Sequence, residues 1–234
     1  MEIFVINLAR RPDRLSTINA RLDDLGLTST TVVALDGRDL GDLPAGTLVS
    51  PSSYACWASH LLAHRAFLSS GESHALILED DAVLDATLDW ITLLYDMPAE
   101  MKRHSLDYLQ LGYISTLYRS DSLRNLVRRA LSADVSKFDL VMANRRFRAL
   151  DGVSRAGSHG YVLTREMANL LQHHHQPAWV NPDGFLERLA SSRRDAHTLR
   201  MACLQRSVIS QESRVGHRSL IDSDIQTLTE MTHD

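Results

Sequence analysis

Short apolar runs alternate with stretches of helical spacing along most of the chain. Residues 3–8, Ile-Phe-Val-Ile-Asn-Leu, form a compact run rich in β-formers and predict a buried strand. Pro12 suits the first turn of a helix, where its missing N–H costs nothing. Leu15, Ile18, Leu22 and Leu25 then recur at 3.6-residue spacing, and Gly26 supplies the stop. Residues 30–35 predict a second strand, closed by the turn pair Asp36-Gly37. Ser50-Pro51 marks another helix start, with Tyr54, Trp57, Ala58, Leu61 and Leu62 as its apolar face.

Residues 74–78 predict a third strand that runs straight into Glu79-Asp80-Asp81, and residues 108–113 a fourth. Later, 160–164 reads as a short strand and 165–173 as a helix burying Met167, Leu170 and Leu171. Residues 183–190 predict a short helix and 204–209 a late strand. Strands alternating with helices point to an α/β fold, a mostly parallel sheet covered on both faces.

Residues 119–148 are less regular. They carry eight basic side chains (Arg119, Arg124, Arg128, Arg129, Lys137, Arg145, Arg146, Arg148) against Asp121, Asp134 and Asp139, an excess of five. Such a stretch can touch anionic head groups or acceptor phosphates, or simply be a solvated insertion. Residues 1–220 read as one domain, with 114–156 as a basic insertion and 221–234 as a polar tail.

Composition narrows the class. With 44% hydrophobic and 23% charged residues the chain is globular rather than disordered. The net charge of -4 gives no general attraction to nucleic acid, so any basic surface is local. Cys56 and Cys203 sit in unrelated segments and read as reduced core thiols, which fits the cytosol. The N-terminal apolar run is too short for a signal peptide, and no stretch approaches the roughly 20 apolar residues of a membrane span. The expected location is cytoplasmic, with peripheral association at the membrane face.

Three consecutive acids after a buried strand are the sharpest chemical feature. An unpaired buried carboxylate is costly, so Glu79, Asp80 and Asp81 are not expected to be plain core residues. Ligands gather at the carboxyl ends of strands in open α/β sheets, and carboxylates there suit Mg²⁺ or Mn²⁺ bridging substrate phosphates. An acidic helix start facing solvent is the alternative. Arg10, Arg11 and Arg14 follow the first strand, where guanidinium groups can grip a diphosphate or merely decorate a solvated helix start. No G-x-G-x-x-G or Walker A sequence is present. His60 and His64 lie at i, i+4 without the zinc-protease pattern; His60 faces either a site or the core. His173-His174-His175 reads as a helix end, where imidazoles favour the dipole. Adjacent acids on one strand end cannot readily flank a sugar, which disfavours a glycoside hydrolase.

Ile6-Asn7-Leu8 with Arg10-Arg11-Pro12-Asp13-Arg14, then Ala34-Leu35-Asp36-Gly37, Ser59-His60 and Leu76-Ile77-Leu78-Glu79-Asp80-Asp81 together resemble glycosyltransferase family 25. The segment 157–164, Asp183, and Gln211 with Ser213 extend the resemblance over roughly residues 2–217. The resemblance implies a GT-A-type, Rossmann-like mixed sheet flanked by helices. It also implies inverting transfer of a hexose, commonly galactose from UDP-galactose, to a lipooligosaccharide, lipopolysaccharide or other glycan acceptor. By that likeness Asp81 would hold Mn²⁺ or Mg²⁺, and Glu79 would lie toward the ribose. Asn7, Arg10, Arg11, Arg14 and Asp80 would sit near the nucleotide, Asp36 and Gly37 would line its pocket, and His60 would face it. An inverting displacement needs a general base, for which Asp183 is the candidate; a helix N-cap is its other reading. A nucleotide-sugar hydrolase and a non-catalytic sugar-nucleotide binding module remain as alternatives.

Overall fold

The computed structural model describes residues 1–114, 136–174, 184–186, 188–190 and 199–212. One sheet runs through it. The first half of the chain supplies β1 (Glu2–Leu8), α1 (Pro12–Asp24), β2 (Thr30–Ala34), α2 (Pro51–Ser70), β3 (His74–Glu79), β4 (Ala82–Leu84), α3 (Trp90–Arg103) and β5 (Tyr108–Gly112). The second half supplies β6 (Lys137–Met142), β7 (Arg145–Asp151), β8 (Gly160–Thr164), α4 (Arg165–His174), β9 (Met201–Leu204) and β10 (Ile209–Gln211).

The strand order is β2-β1-β3-β8-β5-β9-β7-β6, with β10 pairing β4 and β5. β1 runs parallel to β2 and β3, and β5 parallel to β9 and β10. β8 lies antiparallel between β3 and β5, and β7 antiparallel to β6 and β9. The mixed α/β sheet is therefore as expected: β2, β1, β3, β5, β9 and β10 run in one direction, and β8 and β7 run against them. An antiparallel strand inserted at the centre reverses the chain between β3 and β5.

Alternating side chains divide the core into two layers. Ile3, Val5, Leu76 and Leu78 pack against Ile18 and Leu22 of α1 and Trp90, Leu93, Met97 and Met101 of α3. Phe4, Ile6, Ala75 and Ile77 pack against Trp57, Leu61 and Phe67 of α2 and Met167 and Leu171 of α4. Each Val, Leu, Ile, Phe or Met among them, fully buried, contributes about 1.5–3 kcal/mol. The polypeptide caps its helices as the sequence suggests: Ser50 Oγ accepts from Ser53 N at the start of α2, and Gly71, at φ 82°, ends it in the left-handed region.

Four expectations need correction. The apolar face of α2 is broader than the spacing implied: Ala55, Ser59, His60, Ala63, His64 and Phe67 are also buried, because the helix lies between the sheet and α4, whereas Tyr54, Ala58 and Leu62 are half-buried. Leu170 is likewise only half-buried. The segment 204–209 is not one strand; β9 ends at Leu204, and β10 begins at Ile209 after a turn. Within the irregular basic stretch, residues 137–151 form the β6–β7 hairpin, whose Asp139 pairs with Arg146 and Arg148. Residues 115–135 and the tail 221–234 lie outside the described residues. Among the described residues no helix is long and apolar enough to cross a membrane.

Candidate active site

Register brings the site together. Leu8 of β1 pairs with Ala34 of β2, and Ile6 with Glu79 of β3, so three parallel strands end side by side. Leu78 pairs with Gly160, which starts β8 at the same end. A cleft opens there, lined by Arg10, Arg14, Asp36, Gly37, Ser52, Cys56, Ser59, His60, Glu79, Asp80, Asp81 and Gln211 among others. The wall opposite the strand ends is the first turns of α2. Gly37 permits this close approach: a Cβ on it would lie 2.8 Å from Ser52 Cα.

Asp80 and Asp81 are buried and Glu79 is half-buried, all three line the cleft, and each is held differently. Asp80 is anchored on both oxygens: Asn7 Nδ2 donates to Oδ2 at 2.8 Å, and Arg14 Nη1 lies 3.3 Å from Oδ1. Burial pushes its carboxyl up, and Arg14 and Asn7 oppose that rise. Glu79 receives Ser158 Oγ on Oε1 at 2.8 Å, with His60 Nε2 3.4 Å from the same oxygen. Burial acts to raise its carboxyl, yet His60, His159 and Ser158 outweigh it and hold Glu79 below the usual carboxylate range.

Asp81 is the least satisfied. Its Oδ1 is buried with no hydrogen-bond partner among the described residues, and Gln211 Nε2 reaches Oδ2 at 3.3 Å. Burial, then the neighbouring charges of Glu79 and Asp80, push its carboxyl up to about 7. An orphaned buried carboxylate oxygen beside two further carboxylates fits a divalent cation, which would supply the missing partner. Among the described residues no three His, Cys, Asp or Glu side chains gather as a full ligand set. Mg²⁺ or Mn²⁺ takes one or two carboxylates and completes its shell with water and phosphate, so this donor set is compatible with either.

The arginines divide. Arg10 Nε bonds Asp36 Oδ2 at the cleft mouth, and Arg14 reaches Asp80 within it. Arg11 lies outside the cleft lining: its guanidinium turns to Asp13 at 2.8 Å, while its carbonyl accepts from Asn7 Nδ2 at 3.0 Å. His60 does face the site, and it is also a core residue, 2% exposed. His173 is exposed at the end of α4, with Nδ1 bonded to the Asn169 carbonyl, away from the cleft. Asp183, like His217, lies outside the described residues.

Sequence reasoning gave no site role to Ser158, Tyr161 or His64, which the structure ties to Glu79 and His60. A tyrosine in the otherwise apolar run Gly160–Thr164, together with two histidines at i, i+4, was the available signal. Gln211 was noted only through the family likeness; β10 carries it to Asp81 by pairing Gln211 with Ala82.

The sequence profile of glycosyltransferase family 25, described as LPS biosynthesis protein, matches residues 1–186. The chain belongs to glycosyltransferase family 25. A nucleotide-sugar donor and an acceptor go with that family in general. A human relative, inactive glycosyltransferase 25 family member 3, is 29% identical over 126 residues, 46% of this chain and 21% of that protein. The chain thus spans about a fifth of that relative's length. Among solved structures, a glycosyltransferase involved in the glycosylation of the major capsid of PBCV-1 aligns with 7% identity and a TM-score of 0.48, over 99% of this chain and 98% of that one. A197 from STIV aligns with 14% identity and a TM-score of 0.41, over 89% and 83%.

Proposed function

We propose that this family 25 member transfers a hexose, most simply galactose, from a UDP-sugar to a lipooligosaccharide, lipopolysaccharide or other glycan acceptor. The observation that carries this reading is the buried Asp81 Oδ1, without a hydrogen-bond partner among the described residues, in a cleft that Arg10 and Arg14 also line. Asp81, with Asp80 or Glu79 behind it, would hold Mn²⁺ or Mg²⁺. Bound there, the cation would neutralise the charge that develops on the departing diphosphate.

The chain's own groups supply the rest. Arg14 and Asn7 fix Asp80 at the strand end, so that the cluster keeps its shape when a donor enters. Arg10, held to Asp36, presents positive charge at the cleft mouth, where an anionic nucleotide would pass. Glu79, kept ionised, accepts a hydroxyl of the donor's ribose. Asp183 is the candidate base for the acceptor hydroxyl in an inverting displacement. The acceptor would be met in the cytoplasm, at the membrane face for a glycolipid.

A panel of nucleotide sugars, assayed for nucleotide release with and without Mn²⁺ and with candidate glycans, tests this reading. Mn²⁺-dependent release that rises with an acceptor, and is lost in Asp81→Ala, is the expected result. Release unaffected by any acceptor would indicate a nucleotide-sugar hydrolase. The second reading, a sugar-nucleotide binding module without turnover, draws support from the human relative, described as inactive. Donor binding without release would favour it.

A further inference from the structure

A buried hydrogen-bonded chain runs inward from Glu79, away from the cleft. His60 Nε2 lies 3.4 Å from Glu79 Oε1, and His60 Nδ1 is 2.9 Å from the Tyr161 hydroxyl. The same hydroxyl is 2.8 Å from His64 Nε2. Tyr161 is fixed from the other side by stacking on Tyr108, centroids 5.1 Å apart. Three polar side chains in a helix–sheet core carry a desolvation cost that aliphatic residues of similar size would avoid.

Proton inventory decides the direction of the chain. The phenol has one hydrogen and two nitrogen neighbours, so one imidazole must donate to it and the other accept from it. If His60 donated from Nδ1, the phenol would donate to His64 Nε2. The His64 proton would then sit on Nδ1, which is buried and has no hydrogen-bond partner among the described residues. A neutral His60 would also turn a lone pair toward the Glu79 carboxylate, and a doubly protonated one would still leave the His64 proton stranded. The opposite order avoids both faults: His64 Nε2–H donates to Tyr161, Tyr161 O–H donates to His60 Nδ1, and His60 Nε2–H points at Glu79. Only a lone pair on His64 is then left over. Burial keeps His64 and Tyr161 neutral, as this order requires.

We propose that Tyr161 and His64 are positioning residues of the cleft, locking His60 in its Nε2–H tautomer so that Glu79 is held in one orientation for the donor. The assignment of the donor rests on the function proposed above; the tautomer does not. Two measurements on the whole chain therefore separate the two ideas. Long-range ¹⁵N–¹H spectra of histidine-labelled protein report which nitrogen of His60 and of His64 bears the proton. Calorimetry with UDP and Mn²⁺ reports donor-site affinity.

The expected result is an Nε2 proton on both histidines in the native protein. In Tyr161→Phe and His64→Leu the Glu79 carboxylate still favours Nε2–H, but the fixed donor on Nδ1 is gone, so an Nδ1-protonated fraction of His60 should appear, with affinity about tenfold weaker, as is usual for residues that orient ligating groups. His64→Gln, whose amide can still donate to the phenol, should keep both properties near native. A proton on His60 Nδ1 in the native protein overturns the proposal, even if the variants do not fold. So does a folded His64→Gln that behaves as His64→Leu does. Absence of UDP binding by the native protein would sink the donor assignment, while the spectra would still decide the chain.

Discussion

Asn7 ties two strand ends together with one amide: its Nδ2 donates to Asp80 Oδ2 at 2.8 Å and to the Arg11 carbonyl at 3.0 Å. Both hydrogens are used, one on each acceptor, and the bond to Asp80 is buried. Asn7→Ala should therefore cost about 1–3 kcal/mol in urea unfolding, because it strands an acceptor rather than merely losing a bond. Asn7→Asp should cost more at pH 7 than Asn7→Ala, since it sets a second carboxylate against the first. A loss in Asn7→Ala within the error of the measurement would show that Asp80 does not depend on Asn7.

Asp81 should make the metal-free protein less stable as pH rises. Its folded carboxyl sits at about 7, above the ordinary value of 3.8, so between those limits the folded state binds more protons than the unfolded one. Stability from this group declines from about pH 4 to pH 7, and the penalty stays above that. Asp81→Asn should melt higher than the native protein at pH 8 without metal, with the gap closing toward pH 4. Mn²⁺ should raise the native melting temperature at pH 8 and leave Asp81→Asn unmoved. A gap independent of pH would refute the linkage.

His64 has the opposite dependence. Burial, then the nearby His60, lowers its value from 6.5 to about 3, so the unfolded chain binds the extra proton in that interval. Stability from this group is complete above about pH 6.5 and is lost as pH falls toward 3. Denaturant midpoints compared from pH 7 to pH 4 should drop more steeply for the native protein than for His64→Gln. Parallel curves would mean that His64 is not buried as a neutral ring.

Gln110 holds the loop that delivers Ser158. Its Nε2 donates to the carbonyls of Arg155 at 2.8 Å and Gly157 at 2.6 Å, and its Oε1 accepts from Arg155 N at 2.7 Å. Gln110→Leu should lose about 1–3 kcal/mol of stability. Because Ser158 Oγ then loses its fixed place beside Glu79, UDP affinity should also fall under conditions where the variant is fully folded. Calorimetry at native-like ellipticity checks this; unchanged affinity would confine Gln110 to a structural role.

Gly37→Ala probes the cleft wall. A Cβ there would lie 2.8 Å from Ser52 Cα and 2.9 Å from Ser52 N, both backbone atoms at the start of α2. The helix start must shift, at about 1–3 kcal/mol. Thermal melting and UDP binding should both decline, whereas Gly41→Ala, with no atom within 4 Å, should change neither.

Much of the fold could be read from periodicity because β1, β3, β5, β8 and β9 bury both faces and α1 and α3 bury a stripe. α3 went unread although Trp90, Leu93, Leu94, Met97 and Met101 carry its spacing and Asp89 caps Thr92 N at 3.1 Å. Pro98 inside it looks like a terminator. The β6–β7 hairpin was hidden by its turn: Ala143 and Asn144 both adopt positive φ, 50° and 55°, where Asn-Gly would have announced the bend. In the site, the acids and Arg14 were legible as strand-end chemistry, but partners came from far along the chain. Nothing local in Ser158, Tyr161 or Gln211 says which carboxylate or imidazole it will meet; the antiparallel β8 and the late β10 decide that.

That arrangement has a consequence in time. β1, β2 and β3 are made early and carry the acids, whereas β9, which flanks β5, and β10, which brings Gln211 to Asp81, are made after residue 200. Glu212 also fastens this segment, its N–H donating to the Asp81 carbonyl at 2.8 Å and its carboxylate pairing with Arg21 at 3.0 Å. A nascent chain halted soon after residue 186 would possess the carboxylates but not the strand that closes over them. Completion of the cleft thus lags synthesis of its acids by some 130 residues, the separation of Asp81 from Gln211, and ligand capture by a ribosome-tethered chain would begin only once residue 212 has emerged.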